Sequence, residues 1–372
     1  MSGVRNGTRV GAHMTVVVAI GTRKGLFLAR SDDRGSWSVD GPHFLMEEVA
    51  AVGWDTRRSP ARLMIGVMSW HWGPTVAWSD DLGATWNETD HAAIAFPEDT
   101  GAALARVWQI QPDTADRPGV VWAGCEPTSL WRSDDGGESF ALVRGLWDHP
   151  HRPEWAPGFG GAAVHTILPH PTTDRVTVAM STGGVYVSED GATGWAPRNK
   201  GISAKFNPDP YPEFGQCVHK VVADASGPEN LYAQNHHGVY RSTDGGLQWD
   251  SIADGLPSDF GFVALASPHT PGTFWVMPLE ADARRVPPGG RMRVHRTRDA
   301  GDTWTELGAG LPDDSWTVVL RDAACVDSLE PTGLYLGTRD GCLYASADEG
   351  ESWTTVAAHL PDVLSVRAAV LP

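Results

Sequence analysis

Short apolar runs alternate with polar turns along the whole chain, and seven of the turns share one pattern. They read SDDRGSW from Ser31, SDDLGATW from Ser79, SDDGGESF from Ser133, SEDGATGW from Ser188, STDGGLQW from Ser242, TRDAGDTW from Thr297 and SADEGESW from Ser346. Successive starts lie 48, 54, 55, 54, 55 and 49 residues apart, the near-constant period of a repeat fold. Each turn follows a strand-like run such as GLFLAR, SLWRS, GVYRS or CLYAS, and that run follows another, such as VVWAG or LYLGT. A third run sits further upstream (VHTILPH, VHKVVAD, VWQIQPD), and a fourth follows the aromatic residue. Runs of this length and composition, bounded by Gly, Asp and Ser, predict strands. Four antiparallel strands in each repeat predict an all-β, seven-bladed β-propeller.

The two ends of the chain support the same count. The first unit begins at its second strand, MTVVVAIGT (14–22), while the inner-strand pattern VLSVRAAVLP (363–372) ends the chain with no unit of its own. Pairing of the two would close the ring by joining the C-terminal strand to the N-terminal blade, and closure removes exposed sheet edges. The expected division is a flexible leader over 1–13 and one propeller over 14–372.

Within each turn the Ser hydroxyl and Asp carboxylate suit local backbone hydrogen bonds, and the aromatic residue suits burial between sheets. On these residues the chain resembles the Asp-box (BNR-repeat) propellers, which include sialidases, polysaccharide glycosidases, sortilin-type receptors and photosystem assembly factors. Within these it resembles a group of bacterial sialidase-like, BNR-repeat proteins. The resemblance implies a structural role for the box. A calcium loop is the competing reading, but counted from Asp134 its twelfth position is Gly145, so the bidentate Glu is missing. The chain departs from a true sialidase in having more units, no FRIP-type motif and no arginine triad. Five of its six tyrosines (Tyr186, Tyr232, Tyr240, Tyr335, Tyr344) also fall inside repeat strands.

Composition narrows the partners. A formal charge of -17 argues against nucleic acid and anionic membranes, which such a surface repels. The four cysteines (Cys125, Cys217, Cys325, Cys342) form no CxxC pair and are expected to be reduced thiols. The apolar run near the N-terminus is too short for a secretory segment, so a cytoplasmic location is expected.

In a four-stranded meander the box turns lie on one face of the disc. The second-to-third turns and the loops leading into each innermost strand lie on the other, and there the sequence stops repeating. Long individual loops (145–165 and 199–219) and an insertion in the sixth unit (278–292) mark this face, and irregular loops on a rigid frame commonly carry sites. His165 and His219 each stand 23 residues ahead of their box serine, which puts them in the same place in adjacent blades near the axis. The second-to-third turns bring His71, Glu126, His236, His237 and Glu280 to the same face. Because neighbouring side chains on a strand alternate, one of His236 and His237 is expected to face the centre; which one stays open. Arg321, Gln216, Gln234 and Asn235 are candidates to orient a polar ligand, and Trp72 and Trp155 to stack on it.

Three chemistries fit these residues. Glycoside hydrolysis needs two carboxylates, here Glu126 and Glu280, with Glu48, Asp148, Glu154 and Asp340 in reserve. A divalent metal (Zn, Mn, Fe or Cu) would use His165, His219 and one of His236 and His237, with Glu126 or His71 as a further candidate ligand. A non-catalytic disc face would bind protein or carbohydrate through exposed aromatics. The histidine cluster favours an enzyme, a hydrolase or lyase acting on a small polar or glycosidic substrate. Glu126 or Glu280 would then move protons, His165 and His219 would bind metal or act as acid and base, and Arg321 would hold an anionic group. Oligomeric state is not legible.

Overall fold

The computed structural model describes residues 14–87, 91–158 and 160–372. The expected leader over 1–13 lies outside the described residues. Seven sheets form the seven blades, and helix is confined to Arg144–Trp147 and three short 3-10 turns among the described residues. Six sheets have four antiparallel strands; the second has three, with its fourth position held by a bridge between Trp78 and Asn87. The C-terminal strand Val363–Leu371 pairs antiparallel with Thr15–Thr22, from Thr15 opposite Leu371 to Thr22 opposite Val363. This closes the ring with the last strand of the chain as the innermost strand of the first blade.

The hydrophobic core is distributed between blades. Leu26 and Leu28 of the first blade meet Val52, Leu63 and Ile65 of the second, and Met64 and Trp78 of the second meet Ile110 and Trp131 of the third. Both faces of the sheets are therefore buried at their inner strands, which show near-continuous burial, while outermost strands such as Ser38–His43 are exposed. Near the axis the blades converge so closely that a Cβ on Gly21 would stand 2.5 Å from the Val49 carbonyl oxygen. Only glycine lets backbones approach to that distance.

The seven box turns are built alike. In the third blade the Ser133 hydroxyl donates to Asp135 at 2.6 Å and accepts from Gly137 N at 2.8 Å, while Asp135 accepts from Glu138 N and Ser139 N. The same hydroxyl-to-carboxylate bond joins Ser31 to Asp33, Ser79 to Asp81, Ser188 to Asp190, Ser242 to Asp244, Thr297 to Asp299 and Ser346 to Asp348. An arginine of the preceding blade then donates to a box-loop carbonyl: Arg30 to Leu82, Arg62 to Gly136, Arg198 to Gly245, Arg241 to Ala300 and Arg296 to Glu349. The box thus shapes its own turn and ties one blade to the next.

Hydrogen bonds from Ser36 N and Gly35 N hold the Asp33 carboxyl at about 2, and hydrogen bonds from Thr85 hold Asp81 at about 2. A carboxyl held below its unfolded value stabilises the fold above that value and loses the contribution as pH falls toward the folded one. Stability is therefore expected to decline between about pH 4 and 2, measured as the urea midpoint against pH. Asp81→Asn should lower the midpoint at pH 7 and flatten the acid limb; an unchanged limb would contradict the assignment.

Candidate functional site

A register irregularity falls at the same place in every innermost strand, and it builds the site. Val107 pairs with Cys125 and Gln109 with Gly124, so Trp108 is left without a partner. Ala50, His165, His219 and Leu364 are skipped in the same way in their blades. In the sixth blade Phe262 and Val263 lie between the paired residues Gly261 and Ala264, and in the seventh the irregularity widens to residues 320–323. A bulge re-aims its extra side chain and bends the strand. Six of the seven bulges present side chains to the axis, where they enclose a cavity of about 650 Å³. Ala50, Trp108, His219, Phe262, Leu320, Arg321 and Leu364 all line it.

His219 is buried, and its Nδ1 lies 2.6 Å from the Gly261 carbonyl oxygen. A carbonyl only accepts, so Nδ1 carries the proton and Nε2 presents a lone pair. Burial, reinforced by Arg321, holds this imidazole well below its ordinary pKa, so it is neutral at pH 7. Beside it His236 also lines the cavity, with its Nε2 3.3 Å from Asp282. His237 faces away: its Nδ1 accepts from Lys205 N, and it is not among the cavity-lining residues. Cys217 completes the edge, with its ligand atom and those of His219 and His236 all within 4.8 Å of one another. Burial raises the Cys217 thiol pKa, while Arg321 and Arg285 oppose the rise.

The cavity is cationic within an acidic chain. Arg23, Arg106, Arg285, Arg321 and Arg339 line it, against Asp282 and Asp322. With the direct ion-pair partners of these groups (Glu48, Asp362, Lys220, Arg367), seven cations face four carboxylates. Asp322 is held by Lys220 at 2.6 Å and Arg367 at 2.7 Å, and these outweigh burial and keep it ionised. Arg321 differs from the other lining arginines. Its Nη1 donates to Ser181 Oγ at 3.2 Å, its guanidinium lies 5.3 Å from the Trp108 ring centre and 5.8 Å from that of Phe262, and it makes no ion pair among the described residues.

The other candidates are placed as follows. His165 occupies the bulge register expected of it but is fully buried, outside the cavity lining, with Nε2 unpartnered. Glu126 accepts from Trp108 Nε1 at 3.0 Å, and Glu280 pairs with Arg284 at 2.9 Å. Neither of these carboxylates lines the cavity, so the structure does not bring the proposed acid and base pair together there. The amides of Gln216, Gln234 and Asn235 are spent on loop carbonyls, of Pro212, Asp259 and Ser203 respectively. Trp155 is buried and donates to the Tyr186 hydroxyl. His71 and Trp72 stack edge to face on the second-to-third turn of the second blade, away from the cavity wall.

Sequence reasoning missed Cys217, Asp282 and Arg285. Cys217 stands two residues before His219, the register at which the third blade carries Arg106 ahead of Trp108. That equivalence was the available signal. Asp282 and Arg285 belong to the insertion of the sixth blade, whose Ala281–Arg284 bridge folds it back beside His236.

The chain matches no protein-family model. It is similar to the oligoxyloglucan-reducing end-specific xyloglucanase of Emericella nidulans, 24% identical over 236 residues, which is 55% of this chain and 26% of the relative. The probable enzyme of the same name from Neosartorya fischeri is 28% identical over 197 residues, 50% of this chain and 21% of the relative. The chain thus spans about a quarter of the length of the curated relatives that it matches. Among solved structures, an ancestral GH74 enzyme superposes with a TM-score of 0.58 at 20% identity, over 83% of this chain and 38% of that one. This likeness shows the propeller fold. Among the described residues no helix is long and apolar enough to cross a membrane.

Asp322→Ala would leave Lys220 and Arg367 buried without their counter-charge. Removing one partner of a buried ion pair costs about 3–5 kcal/mol, so the variant should lose about that much in urea unfolding. Asp302→Ala, an exposed partner of Arg241, should lose at most about 1 kcal/mol. Equal losses would contradict the placement of Asp322.

Proposed function

We propose that this propeller is a carbohydrate-active enzyme, a glycosidase-like hydrolase or a lyase, that takes a small sugar bearing a carboxylate into its axial cavity. The observation that carries the reading is Arg321, a guanidinium near two aromatic rings and with no carboxylate of its own among the described residues. Such a charge is costly to hold in a low-dielectric wall unless an anion meets it, and a planar guanidinium matches a carboxylate in two-point contact. Trp108 and Phe262 offer apolar faces to a sugar ring beside the charge. The similarity to xyloglucan-acting enzymes supports a carbohydrate ligand.

The reaction follows from which groups are free to move protons. Both carboxylates lining the cavity are committed, Asp322 to Lys220 and Arg367 and Asp282 to Arg285 and His236. The two-carboxylate route to hydrolysis therefore has no free pair at this wall. Cys217, His219 and His236 form the reactive edge instead. A carboxylate neutralised by Arg321 makes the adjacent C–H more acidic, which favours elimination: the α proton leaves to a base, its electron pair forms the double bond, and the β C–O bond breaks with the departing oxygen protonated.

The test compares uronic-acid disaccharides with their neutral counterparts, following release of reducing ends and the ultraviolet absorbance of an unsaturated product. The acidic sugars should be turned over, and Arg321→Ala should lower kcat/KM on them about 100-fold, the size expected for truncating one partner of a charge pair. Equal handling of neutral and acidic sugars, or full activity in Arg321→Ala, would overturn the reading.

A further inference from the structure

We propose that Cys217, His219 and His236 form a transition-metal site of the zinc class on the wall of the axial cavity, with one coordination position open to it. The donor set is one thiolate and two imidazoles, a combination that suits Zn²⁺ over the hard cations. The three residues come from the start of one innermost strand and the turn that follows the strand paired with it. His236 N donates to the Cys217 carbonyl at 2.9 Å, which fixes the two backbones against each other.

Two features mark the cluster as prepared for a metal. The first is the Gly261 carbonyl on His219 Nδ1, the kind of outer partner that fixes the tautomer and directs Nε2 toward a metal. The second is the cavity, which leaves space on the remaining side for water or substrate. Ligand atoms on a tetrahedral ion at about 2.0–2.3 Å stand about 3.4–3.7 Å apart. The present span of up to 4.8 Å thus closes by about 1.4 Å at most, within the reach of side-chain rotation. Asp282, 3.3 Å from His236 Nε2, stands beside the cluster as its outer carboxylate.

Binding releases the thiol proton, so a divalent ion adds one net positive charge to the cavity. A metal-bound water would lose its proton near neutral pH and supply a base at a wall whose carboxylates are committed. The ligand set differs from the one the sequence suggested: Cys217 takes the place of His165, and of the adjacent pair His236 is the ligand while His237 lies outside the cluster. The metal site stands independently of the substrate proposed above; when filled, its bound water would replace the three side chains as the base of that edge.

The test is metal content. Protein incubated with Zn²⁺ and dialysed should retain one equivalent per chain by elemental analysis, and Co²⁺ loading should give a thiolate-to-cobalt charge-transfer band. Cys217→Ser should abolish that band, and Cys217→Ser and His219→Ala should each weaken retention at least 10-fold with unchanged circular dichroism. His237→Ala and Arg321→Ala should keep the metal. Arg321→Ala separates the two proposals, since loss of acidic-sugar turnover with metal retained leaves the site intact. Wild-type protein without stoichiometric metal after loading, or full retention in a folded Cys217→Ser, would overturn the proposal. Should His219→Ala fail to fold, His236→Ala gives the second reading.

Discussion

The strand register at the axis is the constraint from which the rest follows. A regular inner strand would alternate its side chains between the two neighbouring blades and send none along the axis. An unpaired residue near the start of each innermost strand breaks that alternation, and in six of the seven blades it turns a side chain toward the cavity. Because the irregularity recurs in all seven blades, residues far apart in sequence, such as Ala50, Trp108, His219 and Arg321, share one wall. The box turns keep that register on the opposite face, where local hydrogen bonds shape each turn and arginines fasten it to the blade before.

Charge is distributed against the trend of the whole molecule. A chain of formal charge -17 keeps an excess of guanidinium around its axis. Three of these arginines share Glu48 and Asp362, and a fourth shares Asp282 with a histidine. Arg321 is left with a hydroxyl and two aromatic rings. The acidic exterior repels anions at long range while the cavity attracts them at short range.

The architecture was legible because it repeats. Seven box turns at near-equal spacing define the blades, and the orphan inner strand at 363–371 defines the closure. The shared register of His165 and His219 was legible for the same reason. What a bulge does to a single side chain depends on its neighbours, however, and there the sequence falls silent. His219 reaches the cavity while His165, in the same register, is sealed beneath it. Gln216, Gln234 and Asn235 looked like ligand-orienting amides, but a buried amide that ties a loop and an exposed one that binds a ligand read alike as letters. Cys217 read as an isolated thiol, and Asp282 and Arg285 lie in an insertion with no counterpart in other blades to set its path. The choice between His236 and His237 turned on the geometry of one tight turn.

On the proposed reading, the bulge ring makes an axial pocket selective for anions. Crystals soaked in bromide and measured at the bromine edge test it directly. The strongest anomalous peak is expected inside the cavity, against Arg321 and near the Trp108 and Phe262 rings. Bromide found only on the outer surface, with the cavity showing none, would contradict it.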